Sequence, residues 1–167
     1  MRILGIDPGL NLTGFALLES DGTKKELLHF GVIRTKAHTE KSLRLKEIYN
    51  DLKSIIADLK PEICSIEQLF FSTNVSTAMS VSEARGIILL ALQESGIPIQ
   101  EYTPSQMKKA LTGNGRADKK SIQKMVMIEL NLKEIPKPDD AADAVSLALA
   151  LSAELRYHRH LKTFLEK

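Results

Sequence analysis

The chain has 167 residues, 43% of them hydrophobic and 26% charged, which suits one packed core and excludes a disordered polypeptide. A net charge of +2 does not by itself announce a nucleic-acid binder. No apolar run approaches the roughly 18 to 20 residues that cross a bilayer, no signal-peptide layout opens the chain, and the single Cys64 has no internal disulfide partner, so a cytoplasmic protein without membrane contact is expected.

Arg2 to Gly9 reads as a buried strand that ends in a carboxylate. Ile3, Leu4 and Ile6 form the apolar run, Asp7 follows, and Pro8 and Gly9 stop it. Asp-Pro-Gly is also ordinary turn chemistry. Thr13 to Leu18 is a second strand, Asp21-Gly22 a hairpin signal and Leu27 to Arg34 a third strand, so the first three strands form an antiparallel meander. An amphipathic helix from about Thr39 to Leu59 carries Leu45, Ile48, Leu52, Ile55, Ile56 and Leu59 on one face and ends at Pro61. That helix is the crossover needed for parallel pairing of the next strand, Ile63 to Glu67, which also ends in an acid. Cys64 is small apolar filler there.

A loop with adjacent Phe70 and Phe71 follows. Asn74 or Ser76 caps a helix that runs to about Glu94. Ile97 to Tyr102 is the fifth strand. Thr103-Pro104 opens a short helix to about Leu111, Thr112 to Ala117 is a flexible loop, and Asp118 caps a helix through Leu130. The last helix opens at Asp139-Asp140 and is apolar nearly all round to Leu151, so it belongs in the interior. Residues 1–155 read as one domain, and 156–167 as a basic tail that frays. Lys108, Lys109, Arg116, Lys119, Lys120 and Lys124 face a single acid, Asp118, within one short span, a patch that suits either a solvated face or an anion partner.

Strands of a mixed α/β sheet gather functional groups at their carboxyl ends. Asp7 and Glu67 occupy such ends. Asp143 lies in a helix too apolar to leave a charge unpaired, and Asp140, three residues earlier, shares its face. Asp139 is explained by capping and the helix dipole alone. If that helix crosses the crevice, four acids converge, and they need a cation to remain ionised together. Oxygen ligands select Mg²⁺ or Mn²⁺, and two such ions about 4 Å apart clamp a phosphodiester for in-line attack.

Ile3 to Gly9, Ile66-Glu67-Gln68, Ala84-Arg85-Gly86 and Asp140-Ala141-Ala142-Asp143-Ala144 occur in the order and rough spacing of the RuvC family of bacterial Holliday-junction resolvases. The resemblance spans Met1 to about Ser152. It implies an α/β, ribonuclease-H-like fold: a five-stranded mixed sheet, its first three strands antiparallel, flanked by helices. It implies a homodimer that cuts four-way DNA junctions in recombination and repair with Mg²⁺ or Mn²⁺. A branch-migration helicase complex of the RuvA and RuvB type is the implied partner. By resemblance Asp7, Glu67, Asp140 and Asp143 are the catalytic metal ligands, Asp140 standing where some members carry His. Phe70 matches an aromatic that stacks on bases near the crossover. Lys108 and Lys119 match lysines on the DNA backbone, and Lys109, Arg116 and Lys120 extend that patch. Two symmetric cuts call for two sites related by a two-fold axis. The apolar half of the Asn74 to Glu94 helix, with Ile87, Leu90 and Ala91, is the candidate interface. Other readings are a ribonuclease-H-like nuclease of another kind, such as the YqgF-type group, an actin-like nucleotide-binding fragment, and a non-catalytic junction-binding module. The length leaves no room for the second actin-like domain, and Gly113-Asn114-Gly115 is no Walker loop.

Overall fold

The computed structural model describes residues 1–69 and 75–165, with side chains from 1 to 69 and from 78 to 157. Five strands, β1 (Arg2–Asp7), β2 (Leu12–Ser20), β3 (Lys25–Arg34), β4 (Ile63–Glu67) and β5 (Ile99–Tyr102), form one sheet in the order β3-β2-β1-β4-β5. β1, β2 and β3 pair antiparallel, and β4 and β5 pair parallel. The helices are α1 (Lys41–Leu59), α2 (Val75–Glu94), α3 (Pro104–Thr112), α4 (Lys119–Leu130) and α5 (Asp139–Leu165). This is the five-stranded mixed sheet expected, with the parallel connection made through α1.

Two apolar layers cover the sheet, and the pleat decides which residue belongs to which. Leu4, Ile6, Ile33, Cys64 and Ile66 pack with Ile48 and Leu52 of α1 and with Ala84, Ile88 and Leu92 of α2. Ile3, Ala16 and Leu18 pack with α3, α4 and the Val145–Leu151 stretch of α5. Cys64 is fully buried, which pushes its thiol pKa up, as suits apolar filler.

α5 lies against the sheet at near-backbone contact. A Cβ on Gly14 would stand 2.0 Å from the Asp140 carbonyl oxygen, and a Cβ on Gly5 would stand 2.0 Å from that of Ala144. Only glycine permits this approach. The Ser65 hydroxyl donates to the Leu147 carbonyl at 2.8 Å, fixing the helix on β4 as well.

Three expectations are revised. Helix α5 runs on to Leu165, past the boundary expected at residue 155. The loop from Thr112 is a knit turn: Gly113 takes a left-handed φ of 76°, Asn114 accepts from the Arg116 amide at 3.0 Å, and the Ala117 amide donates to the Asn114 carbonyl at 3.1 Å. Ala91 is fully buried in the α1–α2 layer and cannot face a second copy. Asn74 and Phe70 lie outside the described residues.

Gly14→Ala tests the close approach. The added methyl must displace Asp140, so stability is expected to fall by about 1–3 kcal/mol. Thermal unfolding that matches the parent would show that α5 can retreat at no cost.

Candidate active site

β1 and β4 run parallel with Ile6 beside Ile66, so the next residues, Asp7 and Glu67, end adjacent strands. Ile6 and Ile66 face α1, so Asp7 and Glu67 face α5. The first turns of α5 rest on Gly14, the register partner of Asp7. That contact carries Asp140 and Asp143 to the same crevice. The four sequence-selected acids therefore occupy one end of one face of the sheet.

The crevice has a volume of about 210 Å³, and Asp7, Glu67, Asp143, Lys108, Lys119 and Gln123 are among its walls. Asp140 is not one of the wall residues, but its charge helps raise the Asp7 and Asp143 pKa values. Arg116 and Lys120 are exposed and stand outside the crevice, Lys120 over a shallow basin on α4 with Lys124. Lys119 donates to Asp139 at 2.9 Å, so the acid set aside from the cluster holds a crevice lysine. That pair is exposed on both sides and exchanges easily.

Burial and mutual repulsion raise the pKa values of Asp7, Glu67 and Asp143 together. Burial, then the charges of Glu67, Asp143 and Asp140, push the Asp7 carboxyl up to about 8, with Lys119 opposing. Burial and Asp143 raise Glu67. Burial raises Asp143, while the nearby Lys119 lowers it. Carboxyls whose pKa values burial and mutual repulsion raise are ones that a divalent cation would help to ionise. Among the described residues no three His, Cys, Asp or Glu side chains stand close enough together to hold a metal ion as they are placed. The donor set is all-oxygen, partly buried and open to a 210 Å³ crevice, which fits a hard divalent cation that keeps some of its water.

Two positioning contacts were not legible in the sequence. Arg85 of α2 donates from Nε to the Glu67 carbonyl at 3.0 Å and pairs with Glu101 of β5, fixing the end of β4. The Ala84-Arg85-Gly86 motif marks the residue but not this contact. Gln123 follows Lys119 by four residues, so both share one face of α4 and reach the crevice together.

A sheet in this order, with carboxylates gathered at the ends of β1 and β4 and lysines beside them, defines a ribonuclease-H-like nuclease. A family model described as crossover junction endodeoxyribonuclease RuvC matches residues 3–151. Curated relatives of that name are 47% identical over 157 residues in Heliobacterium modesticaldum, covering 94% of this chain and 97% of the relative, and 49% identical over 150 residues in Caldicellulosiruptor saccharolyticus, covering 89% and 90%. The Thermus thermophilus RuvC structure in complex with a Holliday junction substrate superposes with a TM-score of 0.89 at 34% identity, covering 95% of this chain and 96% of that one. The chain belongs to the RuvC family of crossover junction endodeoxyribonucleases.

The raised Asp7 pKa has a defined sign in stability. The unfolded chain releases this proton near 3.8 and the folded chain near 8. Below pH 4 the group costs nothing. Between about 4 and 8 the folded state binds more protons, so metal-free stability falls as pH rises, and the loss is complete above 8. Asp7→Asn removes the charge. Its metal-free Tm at pH 8 should exceed the parent's by several degrees, with the gap closing at pH 4. Equal Tm values at both pH values would show that Asp7 is not charge-strained.

Proposed function

We propose that this chain resolves four-way DNA junctions by paired, symmetric, metal-dependent cuts, with Asp7, Glu67, Asp140 and Asp143 holding two Mg²⁺ ions for which Mn²⁺ can substitute. The observation that carries this reading is the gathering of Asp7, Glu67 and Asp143 in one crevice walled by Lys108 and Lys119. Junction DNA as substrate is supported by the Thermus thermophilus relative, which is titled as bound to a Holliday junction substrate. Chromosomal DNA as substrate makes the compartment the cytoplasm. No helix among the described residues is long and apolar enough to cross a membrane.

When bound, the ions supply an activated attacking water and a stabilised leaving oxygen. The chain's own groups do the rest. Asp7 and Glu67, fixed on adjacent strand ends, hold one wall. Asp143 faces them from α5, and Asp140 adds charge from the turn before. Lys108 and Lys119 offset the phosphate's charge. Lys119 leaves Asp139 for a phosphate oxygen at little cost, because the pair it breaks is solvent-exposed. Arg116, Lys109 and Lys120 are exposed outside the crevice, Lys109 over a separate basin with Tyr102 and Glu154, and hold the flanking duplex. Phe70 stacks on bases at the crossover, a role that rests on its interval from Glu67 and Gln68.

The protein works as a homodimer. On α2, Met79 and Leu90 are exposed at 57% and 49%, Ile87 is half-buried, and Gly86 is exposed with no neighbouring atom within 4 Å of a built Cβ. Met79, Glu83, Gly86 and Leu90 follow one another at helical spacing along one stripe. An exposed glycine in mid-helix lets another backbone approach closely. Residues 1–155 form the nuclease domain, residues 156–167 a basic appendage, and a branch-migration complex of the RuvA and RuvB type delivers the junction.

Asp7→Asn should keep junction binding in EDTA and lose cleavage in Mg²⁺, because it removes a ligand and leaves the lysines in place. Full cleavage by this variant would take Asp7 out of the site. Leu90→Arg should convert the dimer to a monomer in size-exclusion chromatography with light scattering, and paired cuts to single nicks. A variant that stays dimeric would move the interface off this stripe.

A further inference from the structure

We infer that Arg34 and Lys36 form a second phosphate-gripping edge, on the β3 side of the carboxylate crevice, that holds the same junction arm as Lys108 on the β5 side. The inference rests on the junction-cleaving function proposed above.

The register places Arg34. Asp7, Gly14 and Val32 stand in one row across β1, β2 and β3, and Arg34 lies two residues further along β3, paired with Leu12. Gly14 faces α5, since its missing Cβ points at the Asp140 carbonyl, whereas Ile33 packs in the α1 layer. Arg34 therefore projects from the α5 face, the face that carries Asp7, Asp140 and Asp143. Two inter-strand spacings and one two-residue step separate Arg34 from Asp7, about 12 Å between Cα atoms. On B-form duplex that distance spans roughly three to four phosphates of one strand. A phosphate held by Arg34 would thus lie on the arm being cut, a few nucleotides from the scissile bond.

The side chains are available for this. Arg34 and Lys36 are exposed, and neither makes a side-chain ion pair or hydrogen bond among the described residues. Their backbone is anchored. The Thr35 amide donates to the Asn11 carbonyl at 3.1 Å, the Thr35 hydroxyl donates to the Leu10 carbonyl at 2.6 Å, and the Thr39 amide closes a turn on the Lys36 carbonyl at 3.2 Å. Behind this turn lies Arg44, 7% exposed, whose guanidinium donates to the Thr35 hydroxyl, the Leu10 carbonyl and the Asn11 side-chain oxygen. All three partners are neutral. With no carboxylate among its hydrogen-bond partners, this guanidinium keeps its positive charge under the loop, which adds to the field that a phosphate meets there. No acid lies between Arg34 and Thr39, and the next one, Glu40, is exposed and accepts from the Ser42 hydroxyl at 2.6 Å. The same end of the sheet thus carries an acidic centre with basic groups on both sides, as a duplex laid across the crevice requires.

The test is equilibrium binding of a fluorescent four-way junction in EDTA, titrated at several salt concentrations, with the full chain, the Arg34→Ala/Lys36→Ala double variant and Lys46→Ala as a control on the exposed side of α1. The double variant should reduce the magnitude of the log-log salt slope by about two units and raise Kd about tenfold or more near 0.1 M salt. Lys46→Ala should match the parent, and thermal unfolding of both variants should stay within about 1 °C of it, since the mutated groups have no partners to lose. A slope unchanged in the double variant, with or without a weaker Kd, overturns the inference while the junction-cleaving reading stands. A parent protein that shows no salt-dependent junction binding overturns both.

Discussion

The contact between the backbone of α5 and the two glycines of the sheet is the constraint on which the rest depends. Gly5 and Gly14 leave no atom between the strands and the carbonyls of Ala144 and Asp140. A helix carrying ordinary side chains at this surface would ride some ångströms higher. Asp140 and Asp143 would then stand clear of Asp7, and their charges would couple to it more weakly. The alanines of α5 extend the same principle, since Ala141, Ala144 and Ala148 are all fully buried. Close packing here is the means by which charge is brought together.

That closeness has a cost in charge. Asp7 is pushed up to about 8 because burial and three neighbouring acids oppose its ionisation. Divalent cations in the crevice would relieve that cost, so the charge arrangement favours the hard ions that oxygen donors suit. Lys119 tempers the repulsion without ending it, because its principal hydrogen bond goes outward to Asp139. The neighbouring elements hold the geometry against this repulsion. Arg85 fixes the end of β4, the Ser65 hydroxyl ties β4 to α5, and Arg44 with Thr35 fixes the loop that follows Asp7.

Much of this was legible in the sequence, for physical reasons that can be named. An apolar run of strand length ending in an acid identified β1 and β4, while the side each residue faces came only with the packing of the helices. The all-apolar α5 made Asp143 conspicuous, because a charge there needs a purpose. Pro104, Asp118 and Thr103 marked helix starts through capping chemistry that works locally. What stayed hidden depends on partners distant in sequence. Ala91 is as apolar as its neighbours, and only the packing of α2 on α1 and the sheet shows that it points inward. The turn from Thr112 has the composition of a flexible loop, but the Asn114 side chain closes it locally and Ser105 packs against Gly115. Arg34 read as the polar end of a strand until the register set it on the face of the acids.

The most direct measurement is cleavage of a synthetic four-way junction beside a matched linear duplex, with Mg²⁺ and with EDTA. Paired nicks in opposite arms of the junction, present with Mg²⁺, absent with EDTA and absent from the duplex, are the result that the proposed dimer with two such crevices predicts. Equal nicking of the linear duplex, or junction cleavage that persists in EDTA, would contradict it.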